Sequence, residues 1–152
     1  MPRISGSIVN EVYLIKKHFQ KFLNYELAKY DLKTSEAFFI EILHREGMQT
    51  QATLSRFAGC NKSHTHRIIA KLIEKKLIIE NEIDFNSHHT KNILYKLTEQ
   101  GKKIAQTIKS TIIAKWEKQL KLGISDSDIT VAKNVIEKIY ENSYSLVNES
   151  RH

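Results

Sequence analysis

Ile8, Val12, Ile15, Phe19 and Phe22 recur at alternating steps of four and three, joined by Leu23 and Leu27, and this spacing predicts one long helix with an apolar stripe. Thr34 or Ser35 is placed to cap a second helix, with Glu36 favourable near its positive end. That helix carries Phe38, Phe39, Ile42 and Leu43 and stops near Gly47. A third helix starts at a Thr50 cap and holds Leu54 and Phe57. It is short, because Ala58-Gly59-Cys60-Asn61 reads as a tight turn in which glycine supplies a positive φ. Asn61 then caps a fourth helix with Thr65, Ile68, Ile69 and Leu72 on one face.

The period then changes. Leu77 to Ile83 is rich in β-branched residues, and Ile93, Tyr95 and Leu97 alternate, which predicts a hairpin whose connection, Asp84 to Lys91, is polar. Thr98 caps a fifth helix through Ile104, Ile108, Ile112, Trp116 and Leu120, ended by Gly123. Ser125 with Asp128 opens a sixth, carrying Ile129, Ala132, Ile136 and Ile139. Two short helices joined by a glycine-containing turn, then a hairpin with a polar tip, are the order of a winged helix-turn-helix. The small Ser55 suits the place where the two helices touch, and Thr65 and Ile68 lock the second against the first. The fold class expected is mainly α with a small β-hairpin wing (α+β), flanked by helices at both ends.

With Thr65, Ile68 and Leu72 turned inward, the helical period turns Ser63, His66, Arg67 and Ala70 outward, flanked by Lys62, His64 and Lys71. Arg67 suits a bidentate contact to guanine, Ser63 and His66 suit base edges or phosphates, and Lys62 and Lys71 suit phosphates. The first turn behind Asn61 adds free backbone N–H groups. Between Asn61 and Lys76, Lys62, Arg67, Lys71, Lys75 and Lys76 face only Glu74. The formal net charge of the chain is +7, which favours an anionic partner, and the helix-turn-helix pattern selects double-stranded DNA over a membrane surface. No apolar run is long enough to span a bilayer, and no signal peptide is expected. A single cysteine, Cys60, forms no internal disulfide, which points to the reducing cytoplasm and, for a DNA binder, the nucleoid. With 41% hydrophobic and 27% charged residues and no linker-like stretch, the 152-residue chain is expected to form one continuous unit.

From Leu54 to Gly101 the sequence resembles the MarR family of transcriptional regulators. The resemblance runs through Leu54-Ser55-Arg56-Phe57-Ala58-Gly59-Cys60-Asn61-Lys62-Ser63, Arg67-Ile68-Ile69-Ala70-Lys71-Leu72-Ile73-Glu74-Lys75-Lys76-Leu77-Ile78, and Leu97-Thr98-Glu99-Gln100-Gly101. Leu32-Lys33-Thr34-Ser35 is similar to the family's entry into its helix-turn-helix. The resemblance implies a homodimer held by residues 1–34 and 98–152, with residues 35–97 as the winged helix-turn-helix DNA-binding region. It also implies a pseudo-palindromic operator, a wing in the minor groove, and repression relieved by a small-molecule effector or a modification. Two departures from the family pattern stand out. Lys76 stands where a glycine is usual, and His89, Thr90 and Lys91 replace an Asp-x-Arg, so Lys91 would contact phosphate without arginine's planar fork. With His88 these three residues are the expected wing contacts.

Other readings attach to the same residues. Cys60, beside the recognition helix, is a candidate redox switch or, more simply, a small packing residue. His64, His66, His88 and His89 are candidates for a sensing metal site, against which His64 and His66 face different directions on a helix; no metal or other cofactor is expected. Phe19, Phe22, Tyr30, Phe38 and Trp116 are candidates to line an effector pocket, or else core. A Cys60/His64 pair without an orienting carboxylate gives little basis for catalysis, so no enzymatic activity is expected. A winged-helix protein-interaction module is the alternative from another class.

Overall fold

The computed structural model describes residues 6–83 and 92–149. Helix α1 (Ile8–Ala28) leads into α2 (Thr34–Glu46), then a two-residue strand β1 (Gln49–Thr50), α3 (Gln51–Ala58) and α4 (Lys62–Glu74). Strands β2 (Ile78–Ile83) and β3 (Asn92–Leu97) follow, then α5 (Glu99–Thr107), a π-helical segment (Ile108–Ile113), α6 (Ala114–Leu120) and α7 (Asp126–Glu149). The chain forms two compact units, Met1–Ala114 and Lys115–His152. No helix among the described residues is long and apolar enough to cross a membrane.

The first unit buries its core where α2, α3 and α4 converge beneath the sheet. Leu27, Ile40, Leu54, Leu72 and Ile78 are completely buried, and Phe39, Ile42, Ile69 and Ile112 nearly so. Each such side chain removed from water stabilises the unit by about 1.5–3 kcal/mol before chain entropy is counted. The strands pair antiparallel, with Ile78 opposite Leu97 through Ile83 opposite Asn92. This register sends Tyr95 and Leu97 inward with Ile78 and turns Ile79 to the other face, where it is exposed; Ile93 shares the face of Tyr95 and Leu97 but is exposed nearer the far end of the strands.

Three details differ from the sequence pattern. The expected hairpin is a three-stranded sheet in the order β1-β3-β2, because Gln49 and Thr50 pair with Tyr95 and Leu94; two residues are too few to show a period. Helix α2 is not capped by Thr34 or Ser35. It begins one residue earlier, with Lys33 at the cap, and the Glu36 carboxylate accepts the Lys33 N–H at 2.8 Å while Thr34 donates to Asn24 on α1. The fifth helix is not a continuous α-helix. Ile104, Ile108, Ile112 and Trp116 repeat every four residues, so on an ideal α-helix the stripe would drift by about 40° per step. The wider π-helical turn at Ile108–Ile113 removes part of that drift and keeps both Ile108 and Ile112 in the core.

Gly101 explains why α5 begins where it does. A Cβ at Gly101 would lie 2.0 Å from the Leu77 carbonyl oxygen, so only glycine lets the first turn of α5 lie against the start of β2. Thr98 completes the junction. Its hydroxyl accepts from the Gly101 N–H at 3.0 Å and donates to the Lys76 carbonyl at 2.7 Å, and its own N–H donates to Leu77 at 3.0 Å.

Candidate nucleic-acid interface

Helix α4 is set by local chemistry at each end. Gly59 closes α3 at φ 60°, and the Cys60 N–H returns to the Ser55 carbonyl at 3.1 Å, which turns the chain sharply. The Asn61 side chain then accepts the His64 N–H at 2.8 Å and caps α4. Where α3 and α4 cross, the Ser55 hydroxyl donates to Thr65 at 2.8 Å and the Thr65 hydroxyl donates to the Asn61 carbonyl at 3.0 Å. Thr65 is fully buried, so this chain fixes the crossing in a dry place where an unpaired hydroxyl would be costly. On the outer side the Gln51 amide donates to the Lys62 carbonyl at 3.3 Å, tying the first turns of α3 and α4 together.

The division of α4 into two faces agrees with the sequence. Thr65, Ile68, Ile69 and Leu72 are buried, whereas Lys62, Ser63, His64, His66, Arg67, Ala70 and Lys71 are all exposed. Arg67 stands at the rim of two shallow clefts, one shared with Gln51, Lys62, Ser63 and His66, the other with His64, Lys71, Asp31 and Lys75. Among the described residues neither Lys62 nor Arg67 has a carboxylate partner. Lys71 pairs with Glu74 at 2.9 Å, and this contact holds the Lys71 ammonium above and the Glu74 carboxyl below their ordinary ranges. Both groups face solvent, so the pair is weak and exchangeable for a phosphate.

Lys75 corrects the sequence count of positive charge. Its ammonium does not join the outward face. It lies 2.9 Å from the Glu36 carboxylate, which is almost fully buried, and also donates to the Asp31 carbonyl. Lys76 stays exposed but at φ 58°, the left-handed conformation that glycine usually supplies. The turn is therefore made with a lysine in this conformation, a feature that no sequence period signals.

The wing residues His88, His89, Thr90 and Lys91 lie outside the described residues. Among the described residues no three of His, Cys, Asp and Glu gather as a metal site. The Cys60 thiol is half-buried, 3.5 Å from the Ala58 carbonyl. Of the effector-pocket candidates, Tyr30 and Phe38 are exposed, Phe19 and Phe22 are half-buried along α1, and half-buried Trp116 belongs to the second unit. Neither cleft at Arg67 is lined by any of them. Gln51, Glu36 and the inward Lys75 are the participants that sequence reasoning missed; Glu36 gave one signal, its place in the first turn of α2.

A helix-turn-helix with an exposed basic second helix, followed by an antiparallel sheet and a long helix, is the winged helix-turn-helix fold. Solved structures similar to it include MarR proteins and MepR. The reduced form of MarR from E. coli superposes with a TM-score of 0.76 at 13% identity, covering 90% of this chain and 98% of that one. A MarR transcriptional regulator from Methanosarcina mazei Go1 gives 0.76 at 22% identity, over 91% and 97% of the two chains. MepR from S. aureus, solved as a DNA complex, gives 0.70 at 18% identity over 91% and 99%. Neither a scan of protein-family models nor a search of curated proteins finds a match to this sequence. At these identities the similarity is one of fold, and it spans both the helix-turn-helix and the flanking helices.

Proposed function

We propose that this chain is a MarR-family transcriptional regulator that binds double-stranded DNA sequence-specifically, as a cytoplasmic homodimer on an inverted-repeat operator. The observation that carries the reading is α4. It is capped, buried on its Thr65/Ile68/Leu72 side, and exposed on its Lys62, Ser63, His66 and Arg67 side, the arrangement a helix needs to enter a major groove. The fold shared with MepR, whose structure is solved with DNA, supports the same reading.

The homodimer is supported by apolar surface that a single chain leaves uncovered. Ile8, Val12 and Ile15 on α1 and Val131, Val135, Ile136, Tyr140 and Tyr144 on α7 are all more than half exposed or at that limit, between 50% and 65%. Such stripes favour burial against a second copy. Two-fold symmetry then presents two copies of α4 to one face of the duplex. Repression, with release by a small effector that prefers one spacing of the two helices, completes the proposal as a two-state linkage.

Selection of bound sequences from a random duplex pool at moderate salt tests this reading. It should return an inverted repeat. Arg67→Ala should then weaken binding to that duplex by about 1–3 kcal/mol while changing random-duplex affinity far less. A protein-interaction module on the same fold would enrich no sequence, and binding would vanish as salt rises.

A further inference from the structure

Lys75 is conspicuous because its charge is spent inside the protein. Three elements meet at its ammonium: the end of α4 that carries it, the first turn of α2 through Glu36, and the turn after α1 through Asp31. Only 22% of its side chain is exposed, against 4% for Glu36 and 94% for Asp31. The same Glu36 oxygen that receives Lys75 at 2.9 Å also accepts the Lys33 N–H at 2.8 Å, so the carboxylate is anchored to the backbone of the α2 cap. Asp31 itself holds φ 54°, a left-handed conformation that aspartate tolerates better than most residues, and its carbonyl accepts from Lys75.

We propose that Lys75, through its ion pair with Glu36, is a positioning residue for DNA reading: it fixes the C-terminal end of α4 against α2 as the Ser55–Thr65 hydroxyl pair fixes its N-terminal end. The inference rests on the regulator reading above and deepens it. A rigid helix is held in direction by restraints near both ends, and the two restraints here differ in chemistry. The first is neutral and dry, at the α3 crossing. The second is a largely buried charge pair whose separation leaves an uncompensated carboxylate, so it resists sliding or rotation of α4 more strongly than its contact area alone would. Base-edge contacts depend on that direction, because Ser63, His66 and Arg67 must each reach the groove floor together. Phosphate contacts tolerate small errors in direction.

Two alternatives for Lys75 make opposite predictions, which a comparison of the selected duplex with a random duplex separates. Glu36→Gln removes a negative charge. Were charge alone at stake, both affinities would stay level or rise; the positioning role instead predicts that selected-duplex affinity falls by about fivefold or more, the loss of less than one good base contact, while random-duplex affinity holds or rises. Lys75→Met should reproduce the selective loss and leave the slope of log affinity against log salt unchanged. A phosphate-contacting lysine would flatten that slope by about 0.9 and weaken both duplexes together. Lys75→Gln keeps a donor toward Glu36 and should show a smaller selective loss, and it carries the test if melting curves show the methionine variant unfolded. Equal losses on both duplexes, a flattened slope, or unchanged selectivity in Glu36→Gln and Lys75→Gln overturns the positioning role and leaves the regulator reading standing. If the unaltered chain prefers no duplex, both fall.

Discussion

Lys76 sits at φ 58°, and its carbonyl is held by the Thr98 hydroxyl at 2.7 Å, so the turn between α4 and β2 is fixed by contacts that do not involve the lysine side chain. A non-glycine residue pays about 1–2 kcal/mol for that conformation, offset in part by the smaller backbone entropy it loses on folding. Lys76→Gly is therefore expected to raise stability by about 0.5–1 kcal/mol, read as a higher denaturant midpoint with an unchanged slope. A lower midpoint would mean that the side chain contributes something its exposed position does not reveal. At this scale the sequence was legible at three helix starts where a short polar side chain bonds its own neighbourhood, though the Ser7 cap of α1 was not among them. Thr50, Asn61 and Thr98 each cap the helix they precede, accepting from Thr53, His64 and Gly101. The start of α2 was not legible in this way, because Glu36 reaches back from inside the helix and no cap side chain takes part. Lys75 was misread for the converse reason: its partner is 39 positions away in the sequence.

Between elements, α5 lies tightly against the residue that precedes β2, where Gly101 meets Leu77. Gly101→Ala places a methyl carbon 2.0 Å from a backbone oxygen that also accepts the Thr98 N–H, so α5 must move or the β2 start must open. Overpacking of this kind costs about 1–3 kcal/mol, and with backbone as the obstacle the upper end is expected. A calorimetric or denaturant measurement checks it; a variant as stable as the parent would contradict this tight packing of Gly101 on Leu77. The glycine that ends Leu97-Thr98-Glu99-Gln100-Gly101 thus has a steric reason. The helices themselves were legible from their periods, and so were the two strands of the hairpin from the β-branched run Leu77 to Ile83 and the alternation of Ile93, Tyr95 and Leu97; their register was not. Strand β1 was hidden because its pairing is decided by β3, and the π-helical segment was hidden because a four-residue repeat is ordinarily read as α-helical.

At the scale of the molecule, the exposed apolar positions of the terminal helices and the exposed basic face of α4 fall on different elements. The apolar positions exposed on α1 and α7 lie in helices outside the helix-turn-helix, while α4 presents polar and basic groups. The two faces of α4 followed from sequence because burial of Thr65, Ile68 and Leu72 leaves the helical period no other choice. The strength of its field did not follow: Lys75 is withdrawn into an ion pair and Lys71 is shared with Glu74, so Lys62 and Arg67 carry more of the expected attraction than a residue count suggests.

The account depends on this outward side of α4 meeting base edges. Backbone amide shifts of the labelled full chain, followed as the selected duplex is added, test it most directly. We predict that the largest changes fall between Asn61 and Lys71, centred on Ser63, His66 and Arg67, with the buried stretch of α2 around Ile40 left nearly unmoved. Changes that gather on another surface while Ser63 to Arg67 stay in place would contradict it.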